Sequence, residues 1–313
     1  MVDVSIIIVS WNTKKLLLDC LASIKETVSD VDYEVIVVDN NSSDGSQEAV
    51  EEKHPNVILK KCDKNNGFSV GNNIGLTLAK GKYLYLVNSD VIIKENCIKN
   101  MFHFMESNYQ VGMAGPKIYR TNGNLQPTCK RLPTLHQLFF QALCLNDLFP
   151  KADVFSEIHL NYVERNEVRK DVEILNGTFW VVRKEALNQV GGLDDRFFMY
   201  GEDIDWSKRF IEKGWQLAFV PSAEAIHFGR ASSSNDPVRF LVEREKSQVL
   251  YWEKHKGLYG AVCCKLILLI YHMFRIILRC GKYAIKPSQR ENIELQIKQN
   301  VACLQWLLKI KNG

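Results

Sequence analysis

The 313-residue chain predicts an α/β fold: a mixed, mostly parallel sheet flanked by helices, with an amphipathic helical region at its C-terminal end. Three observations carry that prediction. Short β-rich apolar runs alternate with segments whose apolar residues recur at helical spacing, the pattern of strands buried on both faces of a sheet. Three of the first four runs end in polar clusters, where sheets of this kind bind ligands. From Lys254 to Lys286 every charged residue is basic, which sets the last part of the chain apart.

The elements follow in order. Val4-Ser5-Ile6-Ile7-Ile8-Val9 is a strand closed by Ser10-Trp11-Asn12, and Leu16, Leu17, Leu18, Cys20, Leu21 and Ile24 then mark a helix. Glu34-Val35-Ile36-Val37-Val38 is a second strand, stopped by the polar run from Asp39 to Ser46. Val57-Ile58-Leu59-Lys60 is a third, leading to the loop Asn65-Asn66-Gly67 and a helix over about 70–80. Tyr83-Leu84-Tyr85-Leu86-Val87 is the fourth, ending at Asn88-Ser89-Asp90. The stretch 120–170 is weakly patterned, and a single further strand is expected over Ile174–Val182 before a dense polar segment.

Composition bounds the function. With 46% hydrophobic and 24% charged residues the chain can bury a core, which excludes global disorder. A net charge of +4 gives no ground for a nucleic-acid partner. No charge-free apolar run reaches the ~18 residues of a membrane span. Met1-Val2-Asp3-Val4-Ser5-Ile6 lacks the layout of a signal peptide. Nine cysteines without a CxxC pair read as reduced thiols of a cytoplasmic protein, acting as small buried hydrophobes.

Several polar groups are candidates for chemistry. Asp39, at a strand tip, is placed to accept hydrogen bonds from a ribose or a base, whereas Asp44 beside Gly45 reads as a turn and helix cap. Asp90 in Asn88-Ser89-Asp90 is a candidate oxygen ligand for Mg²⁺ or Mn²⁺ bridging a diphosphate, although one aspartate in a turn is common. Five carboxylates stand at 194, 195, 202, 203 and 205, and the adjacent Glu202-Asp203 pair favours one raised pKa and a general base. Asp205 reads as an i,i+4 partner of Arg209. His227, after the apolar run 217–220 and Pro221, is a candidate second metal ligand.

Together these residues resemble a family 2 inverting glycosyltransferase of the A-type, Rossmann-like fold, close to its rhamnosyltransferase-like members. The resemblance covers about residues 3–255 and rests on ordered motifs. They are Ser5–Asn12, Val37–Ser46, Asn66-Gly67-Phe68-Ser69-Val70-Gly71-Asn72-Asn73-Ile74-Gly75, Leu86–Asp90, Gly192-Leu193-Asp194 with Phe197-Phe198, Glu202-Asp203-Ile204-Asp205 and Pro221–His227. It implies a catalytic domain over 1–255, with a nucleotide-binding half at 1–120 and an acceptor half at 121–255, before a helical region at 256–313. It implies that Ser10, Asn12, Asp39, Asn66, Gly67, Asn72 and Ser89 line the nucleotide-sugar site. Asp90 and His227 would hold the metal, Mg²⁺ or Mn²⁺, and Asp203, beside Glu202, would be the base.

The resemblance points to dTDP-rhamnose as donor and a glycan or lipid-linked glycan as acceptor. UDP-hexose, UDP-N-acetylhexosamine and UDP-galactofuranose donors stand as alternatives, and a catalytically inactive nucleotide-sugar-binding scaffold as another. A nucleotidyltransferase is disfavoured, since Ser10–Lys15 contains no glycine. Two departures stand out: Asn88 opens the metal motif where an aspartate is usual, and Ser69 stands where alanine is usual. The Gln-x-x-Arg-Trp motif of processive synthases is absent, which argues for adding one or a few sugars.

Projected at ~100° per residue, Lys265, His272, Arg275, Arg279, Lys282 and Lys286 share one face of a C-terminal helix whose other faces are apolar. Such a helix suits an anionic membrane surface, or packing against protein with snorkelling basic ends.

Overall fold

The structure is a computed structural model that describes residues 2–28, 30–145, 166–229 and 236–309. Over these residues the chain forms two compact units. The first holds residues 2–28, 30–132, 166–198 and 202–229, and the second holds 133–145, 199–201 and 236–309.

The first unit is built on strands β1 (Val4–Ser10), β2 (Tyr33–Asp39), β3 (Ile58–Lys61), β4 (Tyr83–Asn88), β5 (Val91–Ile93), β6 (Val111–Arg120) and β7 (Leu125–Gln126). The short strands β8 (Cys129–Lys130) and β9 (Ile174–Leu175) precede β10 (Phe179–Arg183) and β11 (Gln216–His227). The main sheet runs β3-β2-β1-β4-β10-β6-β11-β5, with β7 paired to β6, and β8 and β9 form a separate pair. Its first half, β3-β2-β1-β4, is parallel. Beyond it β10 enters antiparallel to β4 and β6, and β11 returns parallel to β6.

Alternation along the strands explains why the sheet is covered on both faces. Ile6, Ile8, Val37 and Tyr85 join one apolar cluster, while Ile7, Ile36, Val38, Leu84 and Leu86 join another. Successive side chains of a strand point to opposite faces, so a continuous apolar run needs two covers. The helices of this unit are α1 (Lys14–Thr27), α2 (Ser46–Lys53), α3 (Gly67–Leu78) and α4 (Cys97–Ser107). Further helices follow after a break in the unit; the second unit's α5 (Leu135–Ala142) precedes α6 (Lys184–Val190) and α7 (Glu202–Glu212) in chain order.

The single strand expected over Ile174–Val182 is two strands in different sheets. The break is local chemistry: Asn176 Oδ1 accepts the Thr178 backbone N–H at 3.1 Å and its hydroxyl at 2.6 Å, which turns the chain. Trp180 Nε1 reaches back to the Leu175 carbonyl at 2.9 Å and closes that turn. Of the weakly patterned stretch 120–170, residues 146–165 lie outside the described residues.

The second unit is helical. Its α5 begins with a capping box, in which the Thr134 hydroxyl and the Gln137 side chain satisfy each other's backbone N–H groups. The long α8 (Pro237–Ile285) is divided at Gly257, where φ is 64° and ψ is −161°, and it pairs with α9 (Arg290–Leu307). Lys265 and Arg275 interrupt any charge-free run in α8. Even so, by length and composition α8 is able to cross a membrane, since one 18-residue window has a mean hydropathy of 2.0 and is 22% buried.

The structure also shows which side of α8 is covered. His272 is fully buried with Nδ1 3.0 Å from Asn300 Oδ1, and Arg279 donates to the Gln296 carbonyl at 3.1 Å. Part of the basic stripe is therefore turned towards α9. Leu266, Ile270, Met273 and Ile277, 41–66% exposed, are left along an outer line.

Candidate active site

The site begins at the tips of β1, β2 and β4. Register places Ser10 beside Asp39 and Val9 beside Asn88, so three polar strand ends meet at one edge of the sheet. A chain of buried hydroxyls ties them. Ser10 Oγ lies 3.0 Å from Thr13 Oγ1, which lies 2.9 Å from Ser89 Oγ. Asn12 has a left-handed φ of 53°, and its side-chain oxygen accepts the Ser43 N–H at 2.8 Å. Its backbone N–H donates to Ser42 Oγ at 2.9 Å, which fastens the loop after β1 to the loop after β2.

The two aspartates of the second loop behave differently. Asp44 accepts from the Lys14 N–H at 2.8 Å and from both the backbone and the hydroxyl of Ser46. Partial burial pushes its carboxyl up, but those hydrogen bonds outweigh it and hold the pKa below the ordinary value. Asp44 is thus a cap for the starts of α1 and α2. Asp39 is 1% exposed, and its Oδ1 is satisfied by the Ser42 N–H at 2.8 Å and Gln47 Nε2 at 2.6 Å. Its Oδ2 is buried without a hydrogen-bond partner among the described residues. A buried acceptor left in that state costs about 1–3 kcal/mol, so it is an oxygen in want of a donor.

The start of α3 is drawn against the same edge. Asn40 Nδ2 donates to the Gly67 carbonyl at 2.9 Å, and the Phe68 N–H donates to the Phe198 carbonyl at 2.7 Å. Gly67 has φ 83°, and a Cβ there would stand 2.4 Å from the Phe198 carbonyl oxygen. Asn66 and Asn72 hold backbone: Asn66 Nδ2 bonds the Lys64 carbonyl at 3.1 Å, and Asn72 Nδ2 the Phe68 carbonyl at 2.9 Å. The Ser69 hydroxyl, fully buried, has no partner among the described residues. Asn73, which the sequence reading does not single out, clamps the loop before α7 by accepting from Leu193 N at 2.9 Å and donating to its carbonyl at 2.8 Å.

That loop delivers the acidic pair. Glu202 follows Phe198 by four residues, so the start of α7 stays within at most ~14 Å of Phe198, the residue that meets Gly67. Glu202 is 7% exposed, and its Oε2 is buried without a partner among the described residues. Burial first, then the charge of Asp203, push its pKa up to about 8. The raised pKa anticipated for this pair therefore falls on Glu202. Asp203 Oδ1 accepts the Ile204 N–H at 3.0 Å. Asp205 is fully buried and pairs with Arg209 Nε at 2.8 Å, and Arg209 also donates to the carbonyls of Val190 and Gly192. That arrangement makes Asp205 a structural anchor.

Asp90 and His227 come together from distant parts of the sequence. Asp90 sits between β4 and β5, His227 ends β11, and the pairing of β11 with β5 places His227 opposite Val91. Asp90 Oδ1 lies 3.2 Å from His227 Nε2, and both side chains are largely buried. Asp90 Oδ2 accepts the Gly229 N–H at 3.0 Å, and His227 Nδ1 lies 2.9 Å from Gln126 Oε1. Among the described residues no group of three or more His, Cys, Asp or Glu side chains forms a metal cage. A carboxylate and an imidazole nitrogen facing one another nonetheless fit a divalent ion whose other ligands are phosphate oxygens and water. Neither Gln126 nor Thr13 stands in a motif that marks it; each is found only through its partners in the fold.

Known proteins have related sequences and structures. The profile of "Glycosyl transferase family 2" matches residues 5–191. The chain belongs to that family. It is 29% identical over 241 residues to the N-acetylglucosaminyl-diphospho-decaprenol L-rhamnosyltransferase of Mycobacterium tuberculosis, covering 72% of this chain and 77% of the relative. It is 25% identical over 173 residues to rhamnosyltransferase WbbL of Escherichia coli K12, covering 52% and 61%. Among solved structures, mannosyltransferase PcManGT from Pyrobaculum calidifontis, in complex with GDP-Man and Mn²⁺, superposes with a TM-score of 0.55 at 15% identity. That match covers 98% of this chain and 88% of the other. The fold is thus that of the A-type glycosyltransferases.

Proposed function

We propose that this glycosyltransferase moves a sugar, with inversion, from a nucleotide-diphosphate donor to a glycan or lipid-linked glycan acceptor in cell-surface polysaccharide synthesis. dTDP-rhamnose is the donor we favour, because the two relatives named above are rhamnosyltransferases. The observation that carries the reading is the meeting of polar strand tips, with the buried, unpartnered Asp39 Oδ2 beside the linked loops of Asn12 and Gly67.

The roles follow from what each group has left to offer. Asp39 Oδ2 takes a hydrogen bond from the nucleoside, and the unpartnered Ser69 hydroxyl lies in the helix that borders it. Asp90 and His227 would hold Mg²⁺ or Mn²⁺. When bound, such an ion acts as a Lewis acid and stabilises the charge that develops on the leaving diphosphate. Asp203 takes the proton of the acceptor hydroxyl, so that the oxygen attacks the anomeric carbon from the side opposite the diphosphate. Glu202 keeps its proton at neutral pH, which leaves one charge, and not two, at the start of α7.

A thermal-shift panel tests the donor site: dTDP, UDP, GDP and ADP, each with and without Mn²⁺. A ligand at ~100 times its Kd adds about 2.7 kcal/mol, a rise of a few degrees for a domain of this size. A Mn²⁺-dependent rise with dTDP is expected. A rise confined to UDP would move the donor to a UDP-sugar, and none with any nucleotide would leave an inactive scaffold. Asp203→Asn tests the base: nucleotide binding should persist while transfer falls by several orders of magnitude, and near-normal turnover would remove Asp203 from that role.

We further propose that the outer apolar line of α8 rests on an anionic lipid surface at the inner face of the membrane. The line is exposed, and the charges of α8 beyond Glu253 are all basic, so the helix as a whole carries the sign that an anionic surface attracts.

A further inference from the structure

We infer that Gln126 is a positioning residue that fixes the His227 imidazole with its proton on Nδ1 and its Nε2 lone pair turned towards Asp90. The inference rests on the reading of Asp90 and His227 as ligands of a divalent cation. It starts from one donor whose identity is not in question, the backbone N–H of Thr178. That N–H bonds Asn176 Oδ1 at 3.1 Å, so the atom there is the amide oxygen. The Thr178 hydroxyl meets the same oxygen at 2.6 Å and must donate to it. With its hydrogen committed, Thr178 Oγ1 can only accept from Gln126, 3.4 Å away, which turns the Gln126 nitrogen to Thr178.

The Gln126 oxygen is then the atom 2.9 Å from His227 Nδ1, and that nitrogen must carry a proton. In the neutral ring Nε2 is left as a lone pair, facing Asp90 Oδ1 at 3.2 Å. Two acceptors at that separation repel, whereas a cation ligated by both reverses the sign of the interaction. Asp90 does not turn away, because its Oδ2 is held by the Gly229 N–H and its carbonyl by the Phe228 N–H. The relay is also tied to the tip of β4, where the Asn88 N–H donates to the Thr178 carbonyl at 3.1 Å. Hydrogen bonds to the remote nitrogen of a ligating histidine set its tautomer and basicity, and losing one costs ~10–100-fold in metal affinity.

The test uses the full chain in two measurements. Long-range ¹H–¹⁵N NMR of the metal-free, ¹⁵N-histidine-labelled protein, with His227 assigned by its loss in His227→Asn, is expected to show the Nδ1–H tautomer. Mn²⁺ alone is then titrated with electron paramagnetic resonance reading the free ion. Gln126→Leu should weaken Mn²⁺ binding by ~10–100-fold and lose the tautomer preference, while Gln126→Glu, which keeps an acceptor, should stay within about threefold. An Nε2–H or doubly protonated His227 in the wild-type chain overturns the inference. So does unchanged affinity in Gln126→Leu, or equal losses in both variants, the mark of a merely structural role. Should the wild-type chain take up no Mn²⁺ while Asp203→Asn still abolishes transfer, the cation reading falls, and this inference with it, leaving the transferase reading intact.

Discussion

At Glu202, burial and the neighbouring charge of Asp203 act on one carboxyl and hold its pKa at about 8. The unfolded chain releases that proton near pH 4.5, so between those values the folded state binds the extra proton. Stability from this group is fully present below about 4.5 and is lost as pH rises through about 8, at up to ~1.4 kcal/mol per pH unit. Glu202→Gln removes the ionisable group and keeps the shape. Its stability measured by urea unfolding should match the wild type below about pH 4.5 and exceed it increasingly towards pH 8. Parallel curves across that range would mean that Glu202 ionises without penalty. At this scale the sequence conveys which residues are polar at strand tips, but not which of their atoms are already used. Asp39 and Asp44 lie in one run, yet the first keeps a buried oxygen unpartnered and the second spends its carboxylate on two helix starts. The cap role of Asp44 is legible from its place beside Gly45, whereas the unused oxygen of Asp39 emerges only once Ser42 and Gln47 are seen to take up its other one.

The element that joins the donor edge to the acidic pair is α3, and its first residue decides how closely it can approach. A side chain at Gly67 meets both a left-handed φ and a carbonyl oxygen 2.4 Å away, which cannot yield without moving the loop before α7. Gly67→Ala should therefore cost about 2–4 kcal/mol, the sum of a strained backbone and an overlap. It should also weaken transfer more than nucleotide binding, because the displaced segment leads to Asp203. Urea unfolding and steady-state kinetics check both; a variant of wild-type stability would show that the loop gives way freely. Most elements of the first half are legible because buried parallel strands are uninterrupted apolar runs. The α3 start is harder to read, since Gly67 opens it ahead of the apolar periodicity. The break between β9 and β10 is hidden for the opposite reason: apolar residues flank it on both sides, and the turn is made by the short side chain of Asn176.

On the scale of the whole molecule, the sequence distinguishes a catalytic α/β region from a basic, apolar helical one, while the partner of each helix face is a matter of tertiary structure. Projection alone sets a basic stripe against an apolar remainder, without indicating that α9 takes up His272 and Arg279. Among the apolar residues left outward on α8 are Leu266, Ile270, Met273 and Ile277, whose steps of four, three and four residues keep them on one side. Burying a leucine or isoleucine in an apolar phase contributes about 1.5–3 kcal/mol, at least ~10-fold in affinity for each. Leu266→Glu with Ile277→Glu places charge at two exposed positions, so folding should be unaffected. The full chain is expected to float with phosphatidylglycerol-containing vesicles, to be released by salt, and to bind phosphatidylcholine vesicles weakly; the double variant should stay in solution. Resistance to an alkaline carbonate wash would mean that α8 crosses the bilayer. A dimer in light scattering that the double variant abolishes would mean that a second copy covers the line. Either outcome overturns the surface-bound reading, and each assigns the apolar line a different occupant.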